Sequence, residues 1–449
     1  MRINLTDNNT GQPNAATFQR KDIAALFPIA NKTIAELCRE NKNLLIFPYG
    51  IETSGDKIGE SSVMSILSTG DSDKVQITTG NVMGFIGIDD IQIKIKSRFD
   101  KGREDFFLHY MLQKVLSFNL FDLSHDNEQE DIFDFMMFMF PYFLKTAMRQ
   151  GVYREYQNFR HNDANLKGTI DIGRHIAKNV PFVGNIAYST REYSHDNDLS
   201  ELIRHTIEFM KTKRYGQLVL NIDRETIEDV KLIVEHTSSY DRNERSSIIC
   251  KNLRAKVHPY YTEYRPLQTL CLQIIRMEEV KYGECTDEIC GILFDGAWLW
   301  EEYVNTILSN YAFKHPENKF HKGKIYLFDD DTGIRYPDFY KSDMVLDAKY
   351  KRFGSYNRVS MVDRNDIHQI ITYMTALKVV RGGFVAPLEQ KQSKVPTSHL
   401  KGSAATLSIF GIEICKSATS YSDFCEKMGE MEDEFVESLS ILMTFPNYS

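Results

Sequence analysis

The chain has 449 residues, a length typical of about three domains. Hydrophobic residues make up 42% and aromatic residues 12% of it, which is the composition of a globular protein and excludes a disordered or fibrous one. The net charge of −8 argues against a protein that grips nucleic acid by itself, because such proteins present a basic surface to the phosphates.

Neither a targeting signal nor a membrane span is indicated. The N-terminal residues are polar, without the apolar core of a secretory signal. The most apolar stretch, 131–148, contains Asp134, Pro141 and Lys145 and predicts a buried helix rather than a span. The seven cysteines form no CxxC pair, and we expect them to be reduced thiols in a cytoplasmic protein.

The first third, 1–150, predicts an N-terminal domain that is β-rich and then helical. Residues 18–41 begin with helical spacing, and 43–50 read as a short strand. Residues 74–100 alternate apolar and polar side chains, most clearly in "IQIKIKSRF". Helices are predicted near 104–119 and over 131–149.

The middle region, 151–284, is predicted to be mainly helical. "LKGTIDIGRHIAKN" (166–179) reads as a strand or loop that leads into a helix. Helical periodicity follows good N-cap residues in 194–216 and recurs in 224–236 and 265–280. No fixed-period repeat or low-complexity run occurs.

The last region, 285–449, predicts an α/β core with a mixed sheet. A helix is predicted over 291–312, three short strands over 324–331, 335–342 and 343–353, a helix over 363–379, and strands over 382–388 and 405–414. The expected fold class is therefore mixed α/β (α+β), with a β-rich N-terminal unit, a mainly helical middle and this C-terminal core.

Two carboxylates and a lysine lie close together in this core. Asp338 follows a proline, and Asp347-Ala348-Lys349 follows an apolar run that indicates a buried strand. Asp347 and Lys349 share one strand face, since alternate residues point the same way. Mg²⁺ prefers oxygen ligands and keeps several waters, so Asp338, Asp347 and the Ala348 carbonyl would suffice to bind it. Lys349 would reach the same water or phosphate.

The context separates this triplet from the other acid-x-Lys triplets of the chain. An upstream helix carries Glu301 and Glu302, and a downstream helix presents Gln369 and Tyr373 four residues apart on one face. Residues 341–364 hold six basic and three acidic side chains, where a phosphate backbone would lie. The alternative is a hairpin with solvated charges. His368 is interpreted as a helix-surface residue.

These motifs resemble the PD-(D/E)xK nuclease superfamily and, within it, the McrC family, the nuclease subunit of McrBC-type restriction systems. The similar stretches are "LFDGAWLWEEYV", "RYPDFYKSDMVLDAKYKRF" and "RNDIHQIITYMTAL", with weaker similarity upstream from about residue 80. The resemblance implies metal ligands at Asp338 and Asp347, a catalytic lysine at Lys349, a glutamate at Glu301 or its neighbour, and supporting roles for Gln369 and Tyr373. It implies Mg²⁺, for which Mn²⁺ can substitute.

The resemblance also implies a partner. Members of the family work in anti-phage defence with a hexameric AAA+ GTPase of McrB type, which recognises the modified DNA and is stimulated by them. No GxxxxGK[ST] motif occurs here, so the chain is not itself the NTPase. The ends, 1–70 and the acidic tail, match no family segment, and the tail reads as a solvated amphipathic helix.

Two other functions stay open at this stage. The large region before residue 285, which a nuclease core does not need, suggests a non-catalytic adaptor that activates an AAA+ motor. A stand-alone repair nuclease of the same superfamily is the other alternative, although the acidic charge argues against it.

Overall fold

The computed structural model describes residues 1–10, 16–41, 44–48, 61–88, 91–100, 105–116, 131–213, 215–254, 256–281, 289–316, 323–353 and 358–444. Packing divides the chain into two compact units, Met1–Ser124 with Thr286–Ser449, and His125–Cys285. The first and last segments of the sequence thus share one unit. The predicted mixed α/β class is confirmed, whereas the division into three consecutive domains stays a prediction.

The N-terminal part of the first unit is built on two sheets. Its elements are β1 (Arg2–Thr6), β2 (Ala16–Gln19), a 3-10 helix (Arg20–Leu26), α1 (Ile34–Glu40), β3 (Leu44–Phe47), β4 (Met64–Ser68), β5 (Lys74–Thr79), β6 (Val82–Ile88), β7 (Ile91–Lys96) and α2 (Phe106–Leu116). Strands β2, β5 and β4 form one antiparallel sheet. The alternation predicted for β7 is confirmed, because Ile91, Ile93 and Ile95 are buried and the residues between them are not.

One strand from the C-terminal region completes the N-terminal sheet. Strand β11 (Ile289–Asp295) lies between β6 and β3 in the order β1-β7-β6-β11-β3. The prediction of a helix from residue 291 was wrong over its first five residues, since a short apolar run such as "GILFD" fits a buried strand equally well. Helix α10 (Gly296–Leu308) begins directly after β11, where the Asp295 side chain accepts a hydrogen bond from Trp298 N.

A second five-stranded sheet follows α10. Its elements and their neighbours are β12 (Ile325–Tyr326), β13 (Ile334–Arg335), β14 (Phe339–Tyr340), β15 (Met344–Ala348), α11 (Arg364–Leu377), β16 (Arg381–Leu388), β17 (Thr397–His399), β18 (Thr406–Glu413) and α12 (Tyr421–Thr444). The sheet order is β14-β15-β16-β18-β17, with β15, β16 and β18 parallel. Strands β12 and β13 pair separately, so the predicted strand at 324–331 lies outside this sheet.

The C-terminal helix α12 is not a solvated tail. Phe424, Met428, Phe435 and Leu439 are buried along one face of it at helical spacing. The Glu432 carboxylate on the same helix is also buried, and it accepts hydrogen bonds from Tyr110 and Tyr303. The predicted amphipathic helix is therefore confirmed, but its interpretation as solvated was wrong, because its apolar stripe is buried.

The second unit combines helices with a small sheet. Its elements are α3 (Asp131–Met148), β8 (Glu155–Asp163), β9 (Thr169–Ile170), α4 (Ile172–Asn179), β10 (Ile186–Ser194), α5 (Asp198–Met210), α6 (Gly216–Leu220), α7 (Arg224–His236), α8 (Arg245–Asn252) and α9 (Tyr264–Lys281). Strands β8, β10 and β9 form an antiparallel sheet that the sequence did not predict. The predicted buried helix is confirmed in α3, whose residues 136–140 are all buried. None of the helices in the described ranges is both long and apolar enough to cross a membrane.

Candidate active site

Two aspartates meet at one end of strand β15. Asp347 lies near the end of β15, is only 1% exposed and follows three buried apolar residues. Asp338 lies just before β14, and the antiparallel pairing of β14 with β15 brings it alongside. Its Oδ2 accepts a hydrogen bond of 2.7 Å from Ala348 N. Local strand pairing thus places the Pro-Asp carboxylate beside the Asp-x-Lys triplet.

Lys349 is held among three oxygen-bearing side chains. Its Nζ lies 2.7 Å from Asp347 Oδ2 and 3.6 Å from Asp366 Oδ1. It also donates to Gln369 Oε1 at 3.4 Å. The backbone N–H of Lys349 donates to Val385 O of β16, so its position is set by the sheet as well as by its side chain.

Helix α11 carries Gln369 and Tyr373, for which supporting roles are predicted. Gln369 Nε2 donates to Tyr373 Oη at 2.8 Å, and this contact leaves Gln369 Oε1 directed at Lys349. Tyr373 is buried. The helix begins at an Asp363 cap, which accepts a hydrogen bond from Asn365 N. His368 lies on the exposed side of α11, as the sequence predicted.

Glutamates from α10 approach the site around a histidine. His315 Nδ1–H donates to Asp338 O at 2.8 Å, and its ring stacks on Phe339 with centroids 5.0 Å apart. Glu301 Oε1 lies 3.9 Å from His315 Nδ1, and Glu302 Oε1 lies 3.7 Å from His315 Nε2. The charge of Glu301 contributes to raising the pKa of Asp338, second only to burial. The structure therefore places Glu301 beside His315, which itself contacts Asp338.

The buried carboxylates of the site favour the binding of a cation. Burial raises the pKa of Asp347, and the nearby Asp338 raises it further. Burial would lower the pKa of Lys349, but the carboxylates of Asp347, Asp338 and Asp366 outweigh it and raise that pKa. Carboxylates that are buried together resist ionisation unless a cation compensates them.

The residues present fit a divalent cation. Asp347 Oδ1 is buried and accepts no hydrogen bond from the described residues. The N–H and C=O groups of one strand residue point to the same side of the strand. The Ala348 N–H donates to Asp338, so the Ala348 carbonyl also points to the side on which Asp338 lies. No group of three or more His, Cys, Asp or Glu within the described ranges is arranged to hold a metal ion. A cation here would therefore rely on two carboxylates, this carbonyl and water, a ligand set suited to Mg²⁺.

Two side chains of the site were missed by the sequence reasoning. Asp366 lies one turn before Gln369 on α11, and it forms ion pairs with Lys349 and Lys351. The spacing of Asp366, Gln369 and Tyr373 on one helix face could have indicated it. His315 lies 23 residues before Asp338, and no local pattern marks it.

The chain beyond Lys349 is anchored to the N-terminal sheet. The Tyr350 hydroxyl lies 2.7 Å from Ser97 Oγ, and the Arg98 guanidinium stacks 4.7 Å from the Tyr350 ring centre. Trp300 is fully buried and donates from Nε1 to Val385 O of β16, so it ties helix α10 to the second sheet. Trp298 is only half-buried and stacks on Phe47.

Comparison with known proteins identifies a family and similar solved structures. Residues 77–387, more than half of the chain, match the family described as "McrBC 5-methylcytosine restriction system component". A refined half-complex of Thermococcus gammatolerans McrB AAA+ hexamers with bound McrC contains a chain that is 15% identical, with 98% of this chain and 100% of that one covered and a TM-score of 0.53. That likeness shows a shared fold.

A cryo-EM structure of the Thermococcus gammatolerans McrBC complex is also similar, at 14% identity over 71% of this chain and 90% of that chain, with a TM-score of 0.34. No curated protein sequence matches the chain.

Proposed function

The chain belongs to the McrBC 5-methylcytosine restriction system component family, as its motifs predicted, and on that premise we propose that it is a Mg²⁺-dependent DNA endonuclease subunit of a McrBC-type complex. The observation that carries the proposal is the juxtaposition of the two acids Asp338 and Asp347 with Lys349 at the end of β15. The substrate would be foreign, modified DNA, cut in the cytoplasm during defence against phage.

The proposed partner is a hexameric AAA+ GTPase of McrB type. In the similar solved structure, McrC is bound to McrB AAA+ hexamers, and we extend that assembly to this chain. The absence of a P-loop motif and the net charge of −8 support a division of labour. The motor would recognise and hold the DNA, and this chain would stimulate its nucleotide hydrolysis and cut.

Each residue of the site has a proposed role in phosphodiester hydrolysis. Asp338, Asp347 and the Ala348 carbonyl would hold Mg²⁺, and Mn²⁺ could replace it. When bound, the ion would supply charge neutralisation at the phosphate and a more acidic water. Glu301, rather than Glu302, is the proposed additional acid, because its charge acts on Asp338.

Lys349 would contact the attacked phosphate or the attacking water. Hydrolysis adds the water oxygen to phosphorus and breaks the bond to the leaving oxygen, which ends protonated. The neighbouring carboxylates raise the pKa of Lys349, and its charged ammonium would stabilise the added negative charge of the transition state. Gln369, fixed by Tyr373, orients that ammonium.

The test is plasmid cleavage by the full chain with its AAA+ partner, nucleotide and Mg²⁺, comparing wild type with Lys349→Ala. Nucleotide hydrolysis is followed in the same tubes. Lys391→Ala is the matched control, because Lys391 also ends an acid-x-Lys triplet but forms an exposed ion pair with Glu434. The proposal expects cleavage lost and hydrolysis kept for Lys349→Ala, and both kept for Lys391→Ala.

Other outcomes would select the alternatives. If wild type stimulates hydrolysis but never cuts, the chain is an adaptor and its nuclease core is a scaffold. If wild type cuts at full rate without partner or nucleotide, it is a stand-alone nuclease. If Lys349→Ala cuts as well as wild type, the proposed site is wrong.

A further inference from the structure

In its present position Lys349 would compete with a bound cation for Asp347. Its ammonium lies 2.7 Å from Asp347 Oδ2, yet the proposed function assigns the same carboxylate to a divalent cation. Two cations that share one buried carboxylate repel each other, and the repulsion is stronger at a buried position than in bulk water. A cation can therefore bind well only if Lys349 has another anionic partner within reach.

Asp366 is placed to be that partner. It is 8% exposed on α11, and its Oδ1 lies 3.6 Å from Lys349 Nζ. Its other oxygen, Oδ2, pairs at 2.5 Å with Lys351, whose side chain is half exposed. Asp366 thus faces Lys349 with an oxygen that is too far for a hydrogen bond now, but that a small movement of the lysine would bring into contact.

Gln369 completes the alternative position. Its Oε1 already accepts from Lys349 at 3.4 Å and is directed there by Tyr373. Lys349 can therefore leave Asp347 while keeping one contact and strengthening another. Such a movement needs no change of the sheet, because the lysine backbone stays bonded to Val385.

We propose that Asp366 is a positioning residue that draws the Lys349 ammonium away from Asp347, so that a divalent cation and the lysine can occupy the site together. This inference rests on the proposed function, because it assumes that Asp347 binds the cation. Without Asp366, Lys349 would stay on Asp347 and compete with the cation. The expected effect of Asp366→Asn is about a tenfold weaker cation affinity, equal to about 1.4 kcal/mol.

The test is Mn²⁺ binding to the full chain, measured without DNA by electron paramagnetic resonance or calorimetry. A double-mutant cycle separates competition from a general loss of negative charge. Asp366→Asn is compared with wild type, and the same change is then made in a Lys349→Gln background. Asp343→Asn is the matched control, since that carboxylate pairs with Arg381 at the opposite end of β15.

The expected result is weaker binding for Asp366→Asn, no further weakening when Lys349 is already glutamine, and no effect of Asp343→Asn. Asp366→Glu, which keeps a carboxylate near Lys349, should restore most of the affinity, and thermal unfolding checks that each variant is folded. Weakening that persists in the Lys349→Gln background, or unchanged binding in Asp366→Asn, would overturn the inference.

Failure of the proposed function looks different in the same experiment. If wild type binds no Mn²⁺, or if Asp347→Asn leaves binding unchanged, the metal site itself is wrong and the positioning role falls with it. If binding requires Asp347 but not Asp366, only the positioning role is refuted.

Discussion

Replacing Glu432 by alanine tests whether the C-terminal helix α12 holds helices α2 and α10 together. Its Oε1 accepts hydrogen bonds from Tyr110 at 2.7 Å and from Tyr303 at 2.9 Å, and its Oε2 pairs with Lys114 at 2.8 Å. Both tyrosines are buried. One carboxylate on α12 therefore joins α2 to α10, the helix that carries Glu301.

The magnitude follows from what the substitution leaves behind. A hydrogen bond to a charged group contributes about 1.5–3 kcal/mol. Glu432→Ala removes two such bonds and leaves two buried hydroxyls without their acceptor, while the half-exposed lysine contributes little. We expect the free energy of unfolding to fall by about 3–5 kcal/mol. Glu432→Gln keeps one acceptor oxygen and should cost about 1 kcal/mol.

Urea unfolding followed by tryptophan fluorescence measures these changes. The only two tryptophans, Trp298 and Trp300, lie on α10, and the Trp300 ring centre is 5.5 Å from that of Tyr303. Their emission therefore reports the helix that the network holds. Glu434→Ala is the control, because its ion pair with Lys391 is exposed and its loss should leave the stability nearly unchanged. A loss below about 1 kcal/mol for Glu432→Ala would refute the reasoning.

Three further predictions concern other parts of the chain. Burial raises the pKa of Asp229 from 3.8 to about 7, so this buried carboxylate lowers folded-state stability as the pH rises between those values. Asp229→Asn should therefore raise the free energy of unfolding by about 1–3 kcal/mol above pH 7 and change it little near pH 4. Thermal unfolding of both proteins across this pH range measures the difference. An equal gain in stability at every pH would contradict the prediction. Gly84 has φ +131°, and a Cβ there would lie 2.2 Å from Ile292 O, so Gly84→Ala should cost more than about 2 kcal/mol in urea unfolding; near-wild-type stability would refute that strain. Tyr373→Phe removes the hydroxyl that accepts a hydrogen bond from Gln369 Nε2. We expect DNA cleavage to be about tenfold slower and nucleotide hydrolysis to be unchanged. An unaltered cleavage rate would show that Gln369 does not need this hydrogen bond.

Strand patterns could be read from the sequence where apolar residues alternate with polar ones or precede a charged motif. In β7 every second residue is an isoleucine, and in β15 three apolar residues lead to Asp347, so both strands were predicted. Strands β8 and β10 were missed, because their side chains are mostly polar on both faces and give no periodic apolar signal.

Strand β11 shows why local patterns cannot decide some elements. Its apolar run reads equally well as the start of the following helix. It becomes a strand because β6 and β3 flank it, and both come from the first ninety residues of the chain. Pairing with strands that are remote in sequence therefore decides that these residues form a strand rather than a helix.

The sequence by itself determined the core of the candidate site. Asp347 and Lys349 share one face of the strand, because side chains alternate along a strand. Gln369 and Tyr373 share one face of the helix, because residues four apart lie on the same side. Both arrangements follow from local sequence spacing. Only the tertiary structure decided what surrounds them. Asp366 meets Lys349 because α11 packs beside β15, and Glu432 meets Tyr110 across 322 residues. Such contacts depend on how elements dock, and docking is set by burial of whole faces rather than by the spacing of a few residues.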